Sequence, residues 1–176
     1  LRVVSHAMHD AVAATGREIE ELDAEKAARR GCVSTLMHQA RTGRLSRKEK
    51  QKLSLTSARF GQLEALKWWR QNGCKLKTDT CMSAASGGHL DVLQWLRVNG
   101  CPWDEWTCGM AACGGHLEVL RWARENGCPW DEKTCRYAAM GEHIEVLQWA
   151  IANGRPNNDD IDFGWDVIST TTDDEF

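Results

Sequence analysis

The chain is 176 residues long, 42% hydrophobic and 27% charged, with a formal net charge of −3. That length suits one domain, the composition suits an ordinary folded chain, and no run approaches the roughly 18 apolar residues of a membrane span. The charge is polarised: residues 41–77 hold 11 basic and 2 acidic groups, 78–154 hold 5 and 10, and 155–176 hold 1 and 7. Such a distribution steers partners and does not set a fold.

From the N-terminus, Leu1 to Gly16 lacks the apolar core of a secretory signal, because His6, His9 and Asp10 interrupt it. Leu1, Val4, Met8, Ala11 and Val12 stand instead at helical spacing. Arg17 to Arg30 reads as a charged helix with Ile19 and Leu22, and Cys32 to Thr42 places Val33, Leu36, Met37 and Ala40 on one face. Residues 1–46 show none of the columns that follow. They read as a helical N-terminal cap, since the end units of an array need a polar outer side; disorder of the first one or two segments is the competing reading.

From residue 47 a 27-residue period takes over. Trp68, Trp95, Trp122 and Trp149 keep it, as do Gly73, Gly100, Gly127 and Gly154. So do His89, His116 and His143, Cys81, Cys108 and Cys135, and Cys74, Cys101 and Cys128. The column Gly61, Gly88, Gly115 changes to Glu142 in the last unit. Residues 47–154 are therefore four units, the one at Arg47 to Gly73 degraded. Each predicts two short helices. Thr80, Thr107 and Thr134 mark the cap or first turn of helix A, which stops near a Gly-Gly pair. Helix B runs from His-Leu to Asn-Gly, with Leu90, Val92, Leu93, Trp95 and Leu96 forming one apolar face. The small pairs Ala84/Ala85, Ala111/Ala112 and Ala138/Ala139 belong between stacked units. A single pair cannot bury its own apolar face, so neighbours must.

The run from Ala111 to Leu120, Ala-Ala-Cys-Gly-Gly-His-Leu-Glu-Val-Leu, resembles the most characteristic stretch of an ankyrin repeat, and Ala84–Leu93 and Ala138–Leu147 are similar. The resemblance covers about residues 47–154. It implies an all-α helical repeat solenoid of helix-turn-helix units that binds proteins. An ankyrin unit of about 33 residues carries a β-turn element; these units are shorter, and the Cys-Pro-Trp-Asp openings look like a short 27-residue subtype with the β-hairpin finger reduced or absent. The resemblance also places the recurring histidine at the turn between the helices, bonded to backbone.

After Gly154 the pattern is lost. Residues 155–176 form an acidic C-terminal tail whose composition reads as disorder, with Ile161, Phe163, Trp165, Val167 and Ile168 as its anchors if it docks.

No catalytic or cofactor motif is present: there is no phosphate-binding glycine loop, no H-E-x-x-H and no nucleophile in fixed relation to the histidines. The chain therefore reads as a non-enzyme with no cofactor. Cys108, Cys113 and His116 lie close in sequence, but the Cys113 column holds Ser86 and Met140 elsewhere and no C-x-x-C pair exists, so packing outweighs zinc. The same regularity argues against disulfides and for an intracellular, reducing compartment, cytoplasmic foremost or an organelle interior. Arg44, Arg47, Lys48, Lys50 and Lys52 make a basic patch. With little aromatic interleaving and no nucleic-acid motif, nucleic acid is not the expected partner; the patch reads as solvated or as facing an acidic partner, with docking of the chain's own acidic tail, or that of a second copy, as the other reading.

Columns that stay fixed hold a stack, and exposed columns that vary can be specialised. On helix A these are Asp79/Trp106/Lys133, Met82/Gly109/Arg136, Ser83/Met110/Tyr137 and Ser86/Cys113/Met140. Trp106 stands where its equivalents are charged, so it should face solvent, and an exposed tryptophan suits an interface anchor. The candidate protein-binding residues are Asp79, Met82, Ser83, Trp106, Met110, Lys133, Arg136 and Tyr137. The expected partner is one or more proteins, through an adaptor or scaffold role. A constitutive subunit of a larger assembly is the second reading. The oligomeric state stays open.

Overall fold

A computed structural model describes residues 24–41 and 45–153. Among these residues there are ten helices and no strand. They are α1 (Ala24–Arg30), α2 (Val33–Arg41), α3 (Arg47–Arg59), α4 (Leu63–Gln71), α5 (Thr78–Ser86), α6 (Leu90–Val98), α7 (Glu105–Cys113), α8 (Leu117–Glu125), α9 (Lys133–Met140) and α10 (Ile144–Ala152). No helix among them is long and apolar enough to cross a membrane. The segments expected at 1–14 and at the start of 17–30, and the anchors of 155–176, lie outside the described residues.

The helices alternate in role. The first helices, α1, α3, α5, α7 and α9, pack each on the next in one row. Alanine makes this row close: Ala58, Ala84, Ala85, Ala111, Ala112 and Ala138 are all at 0% exposure. The second helices carry Leu, Val and Trp and stand further apart. An array whose small-residue row is the tighter one bends towards that row, so the first helices form its inner side.

Each helix boundary has a local cause. Thr80, Thr107 and Thr134 sit in the first turn rather than at the cap. The Thr80 hydroxyl accepts from the Lys77 N–H at 3.3 Å. Asp104 is the cap of α7, its carboxylate accepting from the Trp106 N–H at 3.2 Å. Ser46 and Glu49 close a reciprocal capping box at the start of α3. The second helices end alike: Asn72, Asn99, Asn126 and Asn153 donate from Nδ2 to the carbonyls of Trp68, Trp95, Trp122 and Trp149 at 2.7–2.9 Å. The connections 99–104 and 126–132 contain no strand, so the finger of a longer unit is absent there.

Neighbouring units interlock at the turn. Gly61, Gly88 and Gly115 have φ of +68°, +76° and +74°. A Cβ on each would lie 2.5 Å from the imidazole of His89, His116 or His143 in the next unit. His116 Nε2 reaches the Ser86 carbonyl at 3.2 Å. The recurring histidine is therefore a packing group that sits on a glycine of its neighbour. At Glu142 no such ring follows among the described residues, and a side chain is accommodated at φ +59°.

The pair α1–α2 is built like the rest, although residues 1–46 lack the repeat columns. Ala27 and Ala28 are buried, and Gly31 has φ +68°. Gln62 takes the place of the histidine: a Cβ on Gly31 would lie 2.0 Å from its Oε1, and its Nε2 donates to the Arg29 carbonyl at 3.0 Å. This degraded unit packs a separate small core around Leu36, Leu53, Trp68 and Trp69.

Between units, cysteine and tryptophan carry the contacts. Cys101 and Cys128 donate to the Lys77 and Asp104 carbonyls of the preceding unit at 3.2 and 3.3 Å. Hydrogen bonding to Cys101, then burial, pushes the Cys81 thiol far above its ordinary range, and Cys108 and burial do the same to Cys128. All eight cysteines are free thiols. On the outer side Arg97 lies 4.0 Å over the Trp103 ring, and Trp103 meets Trp122 edge-on at 5.9 Å. Arg124, Trp130 and Trp149 repeat this arrangement at 4.8 and 6.0 Å.

Candidate protein-binding face

The first-helix row leaves four columns pointing away from the stack. Their fixed neighbours, Thr80, Cys81, Ala84 and Ala85 in α5, are all buried, and the intervening positions are what the array presents. Of the residues proposed from sequence, Asp79, Trp106, Lys133 and Arg136 are exposed, and Met82, Ser83, Met110 and Tyr137 are half-buried.

Three of these residues come together. The Trp106 ring lies 5.8 Å from that of Tyr137, and Lys133 Nζ stands 5.8 Å over Trp106. Tyr137 reaches this position because Gly109 leaves room: a Cβ there would lie 2.9 Å from the tyrosine ring. The column Met82/Gly109/Arg136 thus varies for a steric reason that sequence alone did not expose. Trp106 keeps 42% exposure and Met140, one turn beyond Arg136, keeps 70%. The other five, Asp79, Met82, Ser83, Met110 and Arg136, take part in no ring or cation–π contact of this group among the described residues.

The same columns run back into the preceding unit through Lys52, Leu55, Thr56 and Arg59 of α3. They line an open depression of about 530 Å³ with Glu25, Arg29, Phe60 and Ser83. Arg29 stacks at 5.4 Å over Phe60, which is 42% exposed. Glu25 bonds Arg29 at 2.8 Å and Lys52 at 3.2 Å. The hydrogen bond from Arg29 and then that from Lys52 hold its carboxyl below the usual range. Leu55, Thr56 and Arg59 were absent from the sequence-based set, and Lys52 entered it only through the basic patch, because the degraded unit offers fewer landmarks for alignment.

Four residues of the proposed basic patch fall in the first turns of α3. Arg47, Lys48 and Lys52 are exposed and Lys50 is half-buried, at positions spread around α3; only Lys52 stands on the face just described. Arg44 lies outside the described residues.

Charge also separates by face. Positions 52, 59, 133 and 136 of the first-helix columns are Lys or Arg, and Asp79 is the one acid among the sixteen positions from α3 to α9. Glu64, Asp91, Glu118 and Glu145 form a uniformly acidic row in the first turn of the second helices, where a carboxylate suits the helix dipole. Lys52 and Lys133 have half-buried partners in Glu25 and Asp131; Arg59 and Arg136 have no ion pair among the described residues.

A comparison with curated proteins finds no match. Ankyrin repeats are protein-interaction units without an enzymatic role of their own. The family model of ankyrin repeats (many copies) matches residues 108–151, from within α7 into the last turn of α10, and this stretch carries ankyrin repeats.

Proposed function

We propose that the chain is an interaction module, a scaffold or adaptor that holds a partner protein on its first-helix face. The supporting observation is Trp106, 42% exposed and resting on Tyr137 in the space Gly109 leaves. A large aromatic that is placed but not buried is what an interface anchor requires. In this reading the units are of the short 27-residue kind, α1–α2 serves as the capping unit of the 1–46 segment, four units fill 47–154, and 155–176 is a separate acidic tail. The thiols, all free and mostly buried in packing roles, suit an intracellular, reducing compartment.

The test is capture of partners from cells of origin by the tagged full chain, beside a Trp106→Ala/Tyr137→Ala variant. The expected result is loss of the captured proteins with helical content unchanged. Equal capture by a folded variant overturns the reading.

One observation favours a permanent subunit instead. Ile144 and Ile151 are 55% and 50% exposed on α10, with half-buried Leu147 between them, and a contiguous apolar stripe suits a standing interface. Stoichiometric capture that survives salt and requires Ile144 and Ile151 would select this second role.

A further inference from the structure

Building on that face as the binding site, we infer the chemistry of its occupant: an acidic, extended segment of a partner protein carrying two apolar anchors. The first-helix columns hold Lys52, Arg59, Lys133 and Arg136 against Asp79 alone, on a chain whose net charge is −3. Arg59 and Arg136 have no ion pair among the described residues, so a carboxylate arriving there displaces none of these. The face also has two aromatic stations of one design. Phe60 is 42% exposed with the Arg29 guanidinium 5.4 Å over its ring, and Trp106 is 42% exposed with Lys133 5.8 Å over its own. Each station offers an apolar seat beside a cation that a carboxylate of the chain already pairs, Arg29 with Glu25 and Lys133 with Asp131; Arg59 and Arg136, without an ion pair among the described residues, are the charges that favour an apolar side chain flanked by carboxylates over one flanked by lysines.

The stations set a spacing. First helices packed about 8–10 Å apart separate α3 from α7 by roughly 18 Å across the row. Phe60 follows the last turn of α3 whereas Trp106 lies in the first turn of α7, which adds about 12 Å along the helices at about 1.5 Å per residue. The diagonal is roughly 22 Å, and an extended chain rises about 3.3 Å per residue. The occupant's two anchors are therefore about six or seven residues apart. A helical occupant would need about fifteen residues for the same span.

The experiment is fluorescence anisotropy with the full chain and three labelled fourteen-residue peptides. The first is rich in Asp and Glu with two phenylalanines seven positions apart, the second has both replaced by alanine, and the third has its acids replaced by lysine. The first should bind, weakening about tenfold between 50 and 300 mM salt as the charges are screened. The second should bind at least about fivefold more weakly and the third not at all. Arg59→Glu/Arg136→Glu, both on exposed side chains, should abolish binding of the first with the helical signal intact. Binding of the lysine peptide as well as the acidic one, or indifference to the double charge reversal, overturns the inference. So does acidic-peptide binding that appears only after Asp159, Asp160, Asp162 and Asp166 are changed to Asn, which would make the chain's own tail the occupant. Partner capture that needs Trp106 and Tyr137 while the acidic peptide fails removes the acidic class and leaves the face. Capture indifferent to both residues removes the face itself.

Discussion

Gly88 and Gly100 have nearly the same φ, +76° and +74°, but different surroundings. A Cβ on Gly88 would strike the His116 ring, whereas nothing lies within 4 Å of one on Gly100. Alanine at Gly100 is expected to cost about 1 kcal/mol, the left-handed backbone penalty alone. Alanine at Gly88 adds displacement of the histidine and is expected to cost about 2–3 kcal/mol. Urea midpoints of the two variants check this; equal shifts would mean the histidine seat carries no energy. The glycines and histidines were legible as columns, and their structural role followed from recurrence. Their mutual contact was not, because it joins residues 28 apart in neighbouring units and no periodic argument says which columns touch. The seat of Tyr137 over Gly109 was hidden for the same reason.

The first helices show how side-chain size sets the distance between elements. Ala112 is at 0% exposure in α7, facing a neighbouring first helix. Its equivalent Ala139, in α9, is only half-buried. Ala112→Leu inserts three carbons into the tight row and is expected to cost about 1–3 kcal/mol or more. Ala139→Leu should stay within about 0.5 kcal/mol. Thermal melts of the two variants separate the effects, and a neutral Ala112→Leu would mean the row can widen. Helix boundaries were largely readable, since the glycine, asparagine and histidine landmarks flank every later helix. The cap assignment was less so: threonine sits inside the first turn, and Asp104 performs the capping bond in α7. The outer arginines over Trp103 and Trp130 were also unforeseen, because those arginines lie in the preceding unit.

For the whole molecule, stability should follow the sum of units and of the interfaces between neighbours. Deleting residues 1–41 removes α1 and α2 and uncovers Trp69, now at 1% exposure and donating to Ser57 Oγ at 3.3 Å. The expected result is a Tm lower by about 5 °C or more and a red shift of tryptophan emission. An unchanged Tm would mean that α1–α2 adds nothing to the array. Its two helices were legible in the sequence, but their kinship with the repeat units was not, because the glycine stands 30 residues before Gly61, with Gln62 replacing the histidine that receives it. A search at a fixed step of 27 passes over it. The segregation of charge by face was likewise invisible along the chain, where 41–77 looks basic as a block and 78–154 acidic.

The substitution at Glu142 has a consequence for self-assembly. Each earlier unit offers a bare glycine to a side chain of the unit that follows, Gln62 at Gly31 and an imidazole at Gly61, Gly88 and Gly115. A second copy adding itself in the array's own register would need the same offer at the last unit, where the half-exposed Ala139 and Leu147 still resemble an open stacking surface. Glu142, exposed and at φ +59°, carries a charged side chain where the earlier units have none. Head-to-tail addition that does not close into a ring grows filaments; Glu142→Gly is therefore expected to raise the mass of the chain in light scattering, and an unchanged mass would mean that this position does not oppose stacking.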